Sequence, residues 1–453
     1  MAHPAWALKF KTKDTSVRCV RAKYYIYKAS SKRDRDPITK KSKTITLKQI
    51  GVLTEDYGLI PTGIKRRGRI PKREFCFKAP PEAEKKETNF MDELSQINDE
   101  RSEKNQLHTA SEILFLASCS ALCGGDGWQD MEDFDELRLD FLRDYFTSKN
   151  GAASNDTCRR FFRTCDLGTF EKCFRDWVGT LAKIDQPQVI AIDGKSSRHS
   201  FDDSKKMLHM VNVLATESLI VMGQEKVDEK SNEITATPKI LEWLDVKGHI
   251  VTIDAMGFQY AIADKILEKG RNYIFSLKGN QGNLSDDVTV YFGKEMLTST
   301  TFLIDHDKGY GRLETRKCFV SHDVQWLKER NKNWQSIQSI ICIESTRNIK
   351  NNVTIENRYY ISSLKETPKK MLESIRSYWG IQNSLHWVLD MSFFDDQSRI
   401  RKGNAPQIMA ILRHIAFNLL QLVKTEKLSI KRLRKMCALS PNLLEETIAR
   451  KIS

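Results

Sequence analysis

Two aspartates close matched apolar runs in this chain, Gln188-Val189-Ile190-Ala191-Ile192-Asp193-Gly194 and His249-Ile250-Val251-Thr252-Ile253-Asp254-Ala255-Met256-Gly257. Hard divalent cations such as Mg2+ take oxygen ligands, and two carboxylates converging at one sheet edge would hold such an ion. Taken singly, an aspartate after a strand serves equally well to cap the next helix or to shape a turn. The matched pair leaves capping and metal binding evenly balanced. A third candidate, Gln382, falls on a helix predicted from about Pro368 to Met391, whose inward stripe is Met371, Ile375, Tyr378, Leu385 and Leu389. An inward polar residue at the centre of that stripe must be satisfied by hydrogen bonds or serve a site.

The elements that must position these groups follow from the pattern. Runs rich in β-branched residues read as strands buried on both faces of a helix-covered sheet. From Gln188 onward the chain predicts strands at 207–215 and 219–227, a helix from Pro238 to Leu244, a strand at 249–254, a helix from Tyr260 to Lys269 and a strand at 273–278. Three strands in hairpin order followed by strands alternating with helices predict a mixed α/β sheet. Residues 285–368 break that rhythm with β-like stretches and read as an inserted β-rich subdomain. Residues 108–184 predict a small helical domain, capped at Ser111, with Phe134, Phe141, Tyr145, Phe161 and Phe162 as core. Residues 79–107 are polar, rich in Pro, Glu, Lys and Asn, and read as a linker. The mixed-sheet region would then span 185–425, and 426–453 would be a basic helical tail.

Composition narrows the partners. The chain has 453 residues and a formal net charge of +14. Residues 1–78 hold 21 Lys and Arg against 6 Asp and Glu, so the whole positive excess sits there. Concentrated basic charge favours polyanions through counterion release. This segment alternates with aromatics, as in Lys23-Tyr24-Tyr25-Ile26-Tyr27-Lys28, and predicts a small antiparallel sheet with a basic face. It closes on Lys65-Arg66-Arg67-Gly68-Arg69-Ile70-Pro71, where Arg67 and Arg69 resemble an arginine hook for the minor groove, with a solvated basic tail as the alternative. The ten cysteines include no Cys-x-x-Cys, which argues against structural zinc or a disulfide framework and for a reducing setting. The longest apolar stretch, 113–123, is too short to span a bilayer, and no signal peptide is evident. A protein of the cytoplasm, without membrane association, is expected.

Further blocks carry a resemblance. They are Gly124-Gly125-Asp126-Gly127-Trp128, Ala191-Ile192-Asp193-Gly194-Lys195, Thr252-Ile253-Asp254-Ala255-Met256-Gly257, Leu277-Lys278-Gly279-Asn280-Gln281, Tyr310-Gly311-Arg312-Leu313-Glu314-Thr315-Arg316, Trp379-Gly380-Ile381-Gln382-Asn383-Ser384-Leu385-His386-Trp387 and Ser398-Arg399-Ile400-Arg401-Lys402-Gly403-Asn404-Ala405-Pro406. In this order, residues 108 to about 425 resemble the DDE transposases of bacterial insertion sequences, in their H-repeat-associated branch. Residues 1–78 resemble instead the start of another insertion-sequence transposase lineage, as in a fusion.

The resemblance implies an RNase H-like fold and two Mg2+ ions, replaceable by Mn2+, on Asp193 and Asp254. It implies hydrolytic nicking at the element's ends, then attack of the freed 3′-OH on target DNA. The partners would be double-stranded DNA at the element ends and target, a second copy of the chain on that DNA, and the bacterial nucleoid as the setting. The third carboxylate position of the family, Glu within Trp-x-Ile-Glu-Asn, is Gln382 here. An amide oxygen can ligate Mg2+ but brings no charge. Asp390, eight residues on, is far along the helix for a replacement, while Asp395 and Asp396 lie beyond the expected helix end and could swing back. Lys195, Arg198, His199, Arg312, Arg316, His386, Arg399, Arg401 and Lys402 are the expected phosphate contacts, with salt bridging or core packing as the alternative for each. Two other readings stay open: a DNA-binding remnant that has lost its chemistry, and a metal-dependent nuclease without strand transfer.

Overall fold

The computed structural model describes residues 15–20, 23–35, 42–54, 58–61, 93–97, 99, 101, 106–181, 188–200, 207–227, 233–244, 247–254, 259–295, 301–309, 312–349 and 352–449. It divides into two compact units, residues 1–82 and 83–453. In the first, β1 (Thr15–Val20), β2 (Lys23–Arg35), β3 (Ser42–Thr54) and β4 (Gly58–Pro61) form a four-stranded antiparallel meander in chain order. The alternating runs at 23–28 and 44–50 lie inside β2 and β3. Arg67 and Arg69 lie outside the described residues.

The second unit begins with helices. Leu94 and Ile97, in the stretch read as linker, are buried in its core; two well-placed apolar residues suffice to dock a segment that is otherwise polar. Four helices follow: α1 (Ala110–Leu122), α2 (Trp128–Arg143), α3 (Asn155–Thr164) and α4 (Leu167–Leu181). The α1 cap is Thr109, two residues before the expected Ser111. Its hydroxyl accepts from the Glu112 amide at 3.2 Å while the Glu112 carboxylate accepts from the Thr109 amide at 2.9 Å, a reciprocal capping box.

The sheet then forms from β5 (Val189–Ser197), β6 (Leu208–Ala215), β7 (Ile220–Lys226), β8 (Ile250–Ile253) and β9 (Asn272–Leu277), with α5 (Glu233–Trp243) before β8 and α6 (Tyr260–Glu268) before β9. α7 (Asn283–Glu295) leads into β10 (Thr301–Gly309), β11 (Arg312–Ser321), α8 (Gln325–Arg330), β12 (Ser339–Ile349) and β13 (Asn352–Ser362). Residues 285–368 are therefore not a separate β subdomain. β13 pairs antiparallel with β9, Tyr359 opposite Leu277, and one nine-stranded sheet runs β10-β11-β12-β13-β9-β8-β5-β6-β7. An unpaired β9 edge would leave backbone donors and acceptors without partners, and strands β10 to β13 cover it.

Helices cover both faces. Ile190, Ile192, Val213 and Phe275 pack against α5, α6, α7 and α8 on one face. On the other, α9 (Pro368–Gly380) packs on Val189, Ile250 and Ile274. A π-helical turn (Ile381–His386), α10 (Trp387–Ser392) and α11 (Ala405–Val423) carry that layer on to the helical domain. α11 is buried around nearly its whole circumference from Ile408 to Leu420, as a central helix must be. Its Asn418 is fully buried and ties down edge strand β7, accepting from the Val221 amide at 2.8 Å and donating to the Val221 carbonyl at 2.9 Å.

The last residues are not a tail. α12 (Ile430–Leu439) and α13 (Pro441–Ala449) bury Ile430, Leu433, Cys437, Leu444 and Ile448 in the same core. Arg434 donates to the Ala121 carbonyl at 2.8 Å, to the Ser392 carbonyl and to Asp126 at 3.2 Å. Arg434 is thus satisfied inside the fold, while Lys431, Arg432 and Lys435 of α12 stay exposed.

Candidate active site

β5 and β8 are parallel neighbours in a register that pairs Val189 with Ile250 and Ile192 with Ile253. The next residues along the two chains are Asp193 and Asp254, so the aspartates leave adjacent strands at the same level. β5 does not stop at Asp193 but runs on to Ser197, paired on its other side with β6. Along β5 the side chains alternate: Ile190 and Ile192 pack beneath the α5–α8 layer, so Asp193, Lys195 and Ser197 project to the face that α9, the π turn and α10 cover.

Asp193 is 8 % exposed. The Tyr378 hydroxyl donates to its Oδ1 at 3.0 Å and the Gln382 amide to its Oδ2 at 3.2 Å. His386 Nδ1 lies 3.7 Å from Oδ2, and its Nε2 lies 3.2 Å from the Asn212 amide nitrogen. Burial pushes the Asp193 carboxyl up to about 6; the two hydrogen bonds oppose that, while the charges of Glu233 and Asp254 add to it. Burial, with Lys195 nearby, takes His386 down to about 4, so its ring is neutral at pH 7. Asp254 is bound by Lys278 Nζ at 3.0 Å, which gives the Leu277–Gln281 block a place beside the second aspartate.

The π turn brings the helix residues to this point. One widened turn between Ile381 and His386 shifts the helical phase, a device frequent at functional sites. Ile381, Leu385 and Leu389 stay buried while Gln382 and His386 both reach Asp193. Tyr378 was read only as part of the apolar stripe. Its spacing, one turn before Gln382, is the signal that its hydroxyl could share the aspartate.

Several expected phosphate contacts are otherwise engaged. Lys195 has its side chain 8 % exposed and is enclosed by Asp390 at 2.7 Å, Asp395 at 3.0 Å and Asp396 at 3.3 Å. Burial works against its charge, but Asp395 and Asp390 outweigh it and hold its pKa above the ordinary lysine value. These three carboxylates have oxygens within 4.8 Å of one another, and the ammonium already fills the centre of the group. Arg316 is buried between Glu314 at 2.8 Å and Asp305 at 3.5 Å. Both basic residues are structural ion pairs rather than surface charges. His386 faces Asp193 as a neutral ring and brings no cation for a phosphate.

Of the remaining basic residues, Arg198, Arg399 and Lys402 lie outward. The Arg198 side chain is 77 % exposed and meets Asp396 at 3.3 Å. Arg401 donates to the His199 carbonyl at 3.2 Å, and Arg399 and Lys402 are exposed beside it. Arg312 opens β11. The geometry thus brings together Asp193, Asp254, Gln382 and His386, and adds Tyr378, Lys278 and Glu233, which the sequence reading did not select.

A family model described as "Transposase DDE domain" matches residues 184–419, and one described as "DDE_Tnp_1-associated" matches 91–178. This chain belongs to the DDE transposase family. It is 37% identical over 372 residues to the "H repeat-associated putative transposase YhhI" of Escherichia coli (strain K12), an alignment covering 80% of this chain and 97% of that protein. It is 39% identical over 372 residues to the "Putative transposase YncI" of Escherichia coli O157:H7, covering 80% and 94%. An "Uncharacterized protein in dhlA 3'region" of Xanthobacter autotrophicus is 35% identical over 272 residues. The mixed nine-stranded sheet and its helical layers are consistent with a DDE transposase domain. Among the described residues no helix is long and apolar enough to cross a membrane.

Proposed function

We propose that the chain is a transposase that cuts the ends of a mobile DNA element and joins them to target DNA, with divalent cations at Asp193 and Asp254. The observation that carries this reading is the parallel register of β5 and β8, with Asp193 and Asp254 the next residues on each strand and Tyr378 and Gln382 bonded to Asp193. The donor set fits the group: carboxylate and amide oxygens are the hard ligands that Mg2+ or Mn2+ takes. Lys278 against Asp254 also marks a place where positive charge is favoured. When bound, such cations lower the pKa of an attacking water or 3′-hydroxyl and stabilise the leaving 3′ oxygen.

This chain's own residues do the rest. Tyr378 orients the Asp193 carboxylate, and the Gln382 amide, turned about its last bond, offers an oxygen in place of its N–H. Lys278, 60 % exposed, is able to leave Asp254 and follow a phosphate. Arg198, Arg399, Arg401 and Lys402, with Arg312 and the basic residues Arg67 and Arg69, are the proposed phosphate contacts that hold DNA without reading its sequence. Joining two ends requires at least two copies of the chain on the DNA.

A second reading, a DNA binder with weakened chemistry, is favoured by the neutral Gln382. The test is to incubate the purified chain with duplexes carrying the inverted repeats that flank its gene, with Mg2+ and with Mn2+. Nicks at the repeat ends that Asp193→Asn abolishes support the enzyme. Retarded bands with no nick under either cation would sink it in favour of the binder.

A further inference from the structure

The neutral Gln382 leaves the site short of one negative charge, and the fold holds another carboxylate beside Asp193. Glu233 begins α5, whose first-turn position favours an anion. Its carboxylate lies directly on the backbone of Gly194: a Cβ built at Gly194 would fall 2.0 Å from Glu233 Oε1 and 2.8 Å from His209 Nε2. Only glycine next to Asp193 leaves room for this approach.

The carboxylate is also fixed in direction. His209 Nε2 lies 3.2 Å from Glu233 Oε1, and Ser196 Oγ lies 2.6 Å from His209 Nδ1. A serine donating to Nδ1 sets the tautomer that donates from Nε2, so the chain Ser196–His209–Glu233 orients one oxygen and leaves the other available. Carboxylate ligands held by a hydrogen-bonded partner in this manner are the usual construction of metal sites. The Glu233 and Asp254 charges both bear on Asp193 and on Tyr378.

The geometry points to Glu233 as the third carboxylate of the cation site, supplying from the start of α5 the charge that position 382 lacks. This rests on the functional reading above and names a further ligand for that same site.

The test uses the full-length, metal-free protein titrated with MnCl2, with free Mn2+ followed by electron paramagnetic resonance, which needs no DNA and no turnover. Asp193→Asn first reports whether Mn2+ occupies this site. Glu233→Gln keeps an acceptor for His209 and so preserves the local hydrogen bonds. It is expected to weaken Mn2+ binding about tenfold or more with the melting temperature of the metal-free protein unchanged. Gly194→Ala, which displaces the carboxylate without altering charge, is expected to weaken Mn2+ binding as well. Glu233→Asp, which keeps the charge on a shorter arm, should recover part of it. Affinity lost in Asp193→Asn yet unchanged in Glu233→Gln would overturn the assignment while leaving the Asp193 site intact. Affinity unchanged in Asp193→Asn would overturn the site itself, and this assignment with it.

Discussion

Replacing Lys195 by methionine separates a structural ion cage from a DNA contact. The substitution keeps the aliphatic stem and removes the ammonium that three carboxylates share at 2.7, 3.0 and 3.3 Å. Removing one partner of a buried ion pair costs about 3–5 kcal/mol, because the other charge is left without compensation. Asp395 keeps Arg413 at 2.8 Å, while Asp390 and Asp396 are 33 % and 23 % exposed and partly screened. The lower end, about 3 kcal/mol, is therefore expected, a fall in melting temperature of roughly 6 °C at about 2 °C per kcal/mol for a unit of this size. The sign with pH follows from the carboxyls. Burial already raises the Asp390 pKa in the wild type, with Lys195 opposing it, and loss of Lys195 raises it further. A carboxyl raised in the folded state contributes stability below its unfolded pKa, near 4, and loses it as pH rises through the folded value. The Asp390 part of the Lys195→Met deficit should thus be small near pH 4 and grow as pH rises toward about 7. The Asp395 part, from a carboxyl that, against its burial, Arg413 and Lys195 hold below the ordinary value, persists down to the acid end. Thermal unfolding across that range is the assay. Equal melting temperatures at neutral pH, together with weakened DNA binding, would refute the cage and return Lys195 to the phosphates.

Three further substitutions test other parts of the fold and site. Gln382→Glu, scored by nicking of labelled repeat ends, should raise Mg2+-dependent cleavage about tenfold or more, since charged ligands hold the cation more tightly; an unchanged rate removes position 382 from the ligand set. Asn418→Ala leaves the Val221 amide and carbonyl without their partner and should cost about 2–4 kcal/mol in denaturant unfolding, with faster hydrogen exchange at Val221; wild-type stability would mean β7 is not held there. Gly403→Ala sets a Cβ 2.3 Å from the Arg163 carbonyl oxygen at a φ of +60°. Because backbone must yield, a loss of about 1–3 kcal/mol is expected, and an unaltered melting curve would contradict the packing of that turn.

The sheet was largely legible because its central strands are written in β-branched runs. The predicted strand at 273–278 and helix at 260–269 lie within a residue or so of β9 and α6. The parallel match of Asp193 with Asp254 could be anticipated from the two similar runs alone. Charges that meet across long separations could not. Lys195, two residues after Asp193, resembles a phosphate contact until the chain returns some 200 residues later with Asp395 and Asp396. Glu233 was passed over for a local reason: Pro238 was taken as the first helical residue, whereas α5 starts five residues earlier and holds the proline inside. Ser231-Asn232-Glu233, a capping signature with an acid in the first turn, was the available signal. The strands within 285–368 were legible but not their place in the sheet, because alternation tells that strands form and not which edge they join.

The hydrogen-bond partners of Asp193 on the covering helix are 185 and 189 residues downstream, and Arg434, which clamps the end of α10, comes later still. Synthesis at roughly 5–20 residues per second would separate the first aspartate from that helix by about 10–40 s. From the synthesis of Asp254 to the end of this interval, a nascent chain carries both aspartates with no helix to cover them. A product truncated before Pro368 stays in that condition permanently. Placing the covering helix late makes the contacts of Asp193 a property of the longer chain, so that broken messages and stalled ribosomes yield fragments in which Tyr378 and Gln382 never reach it.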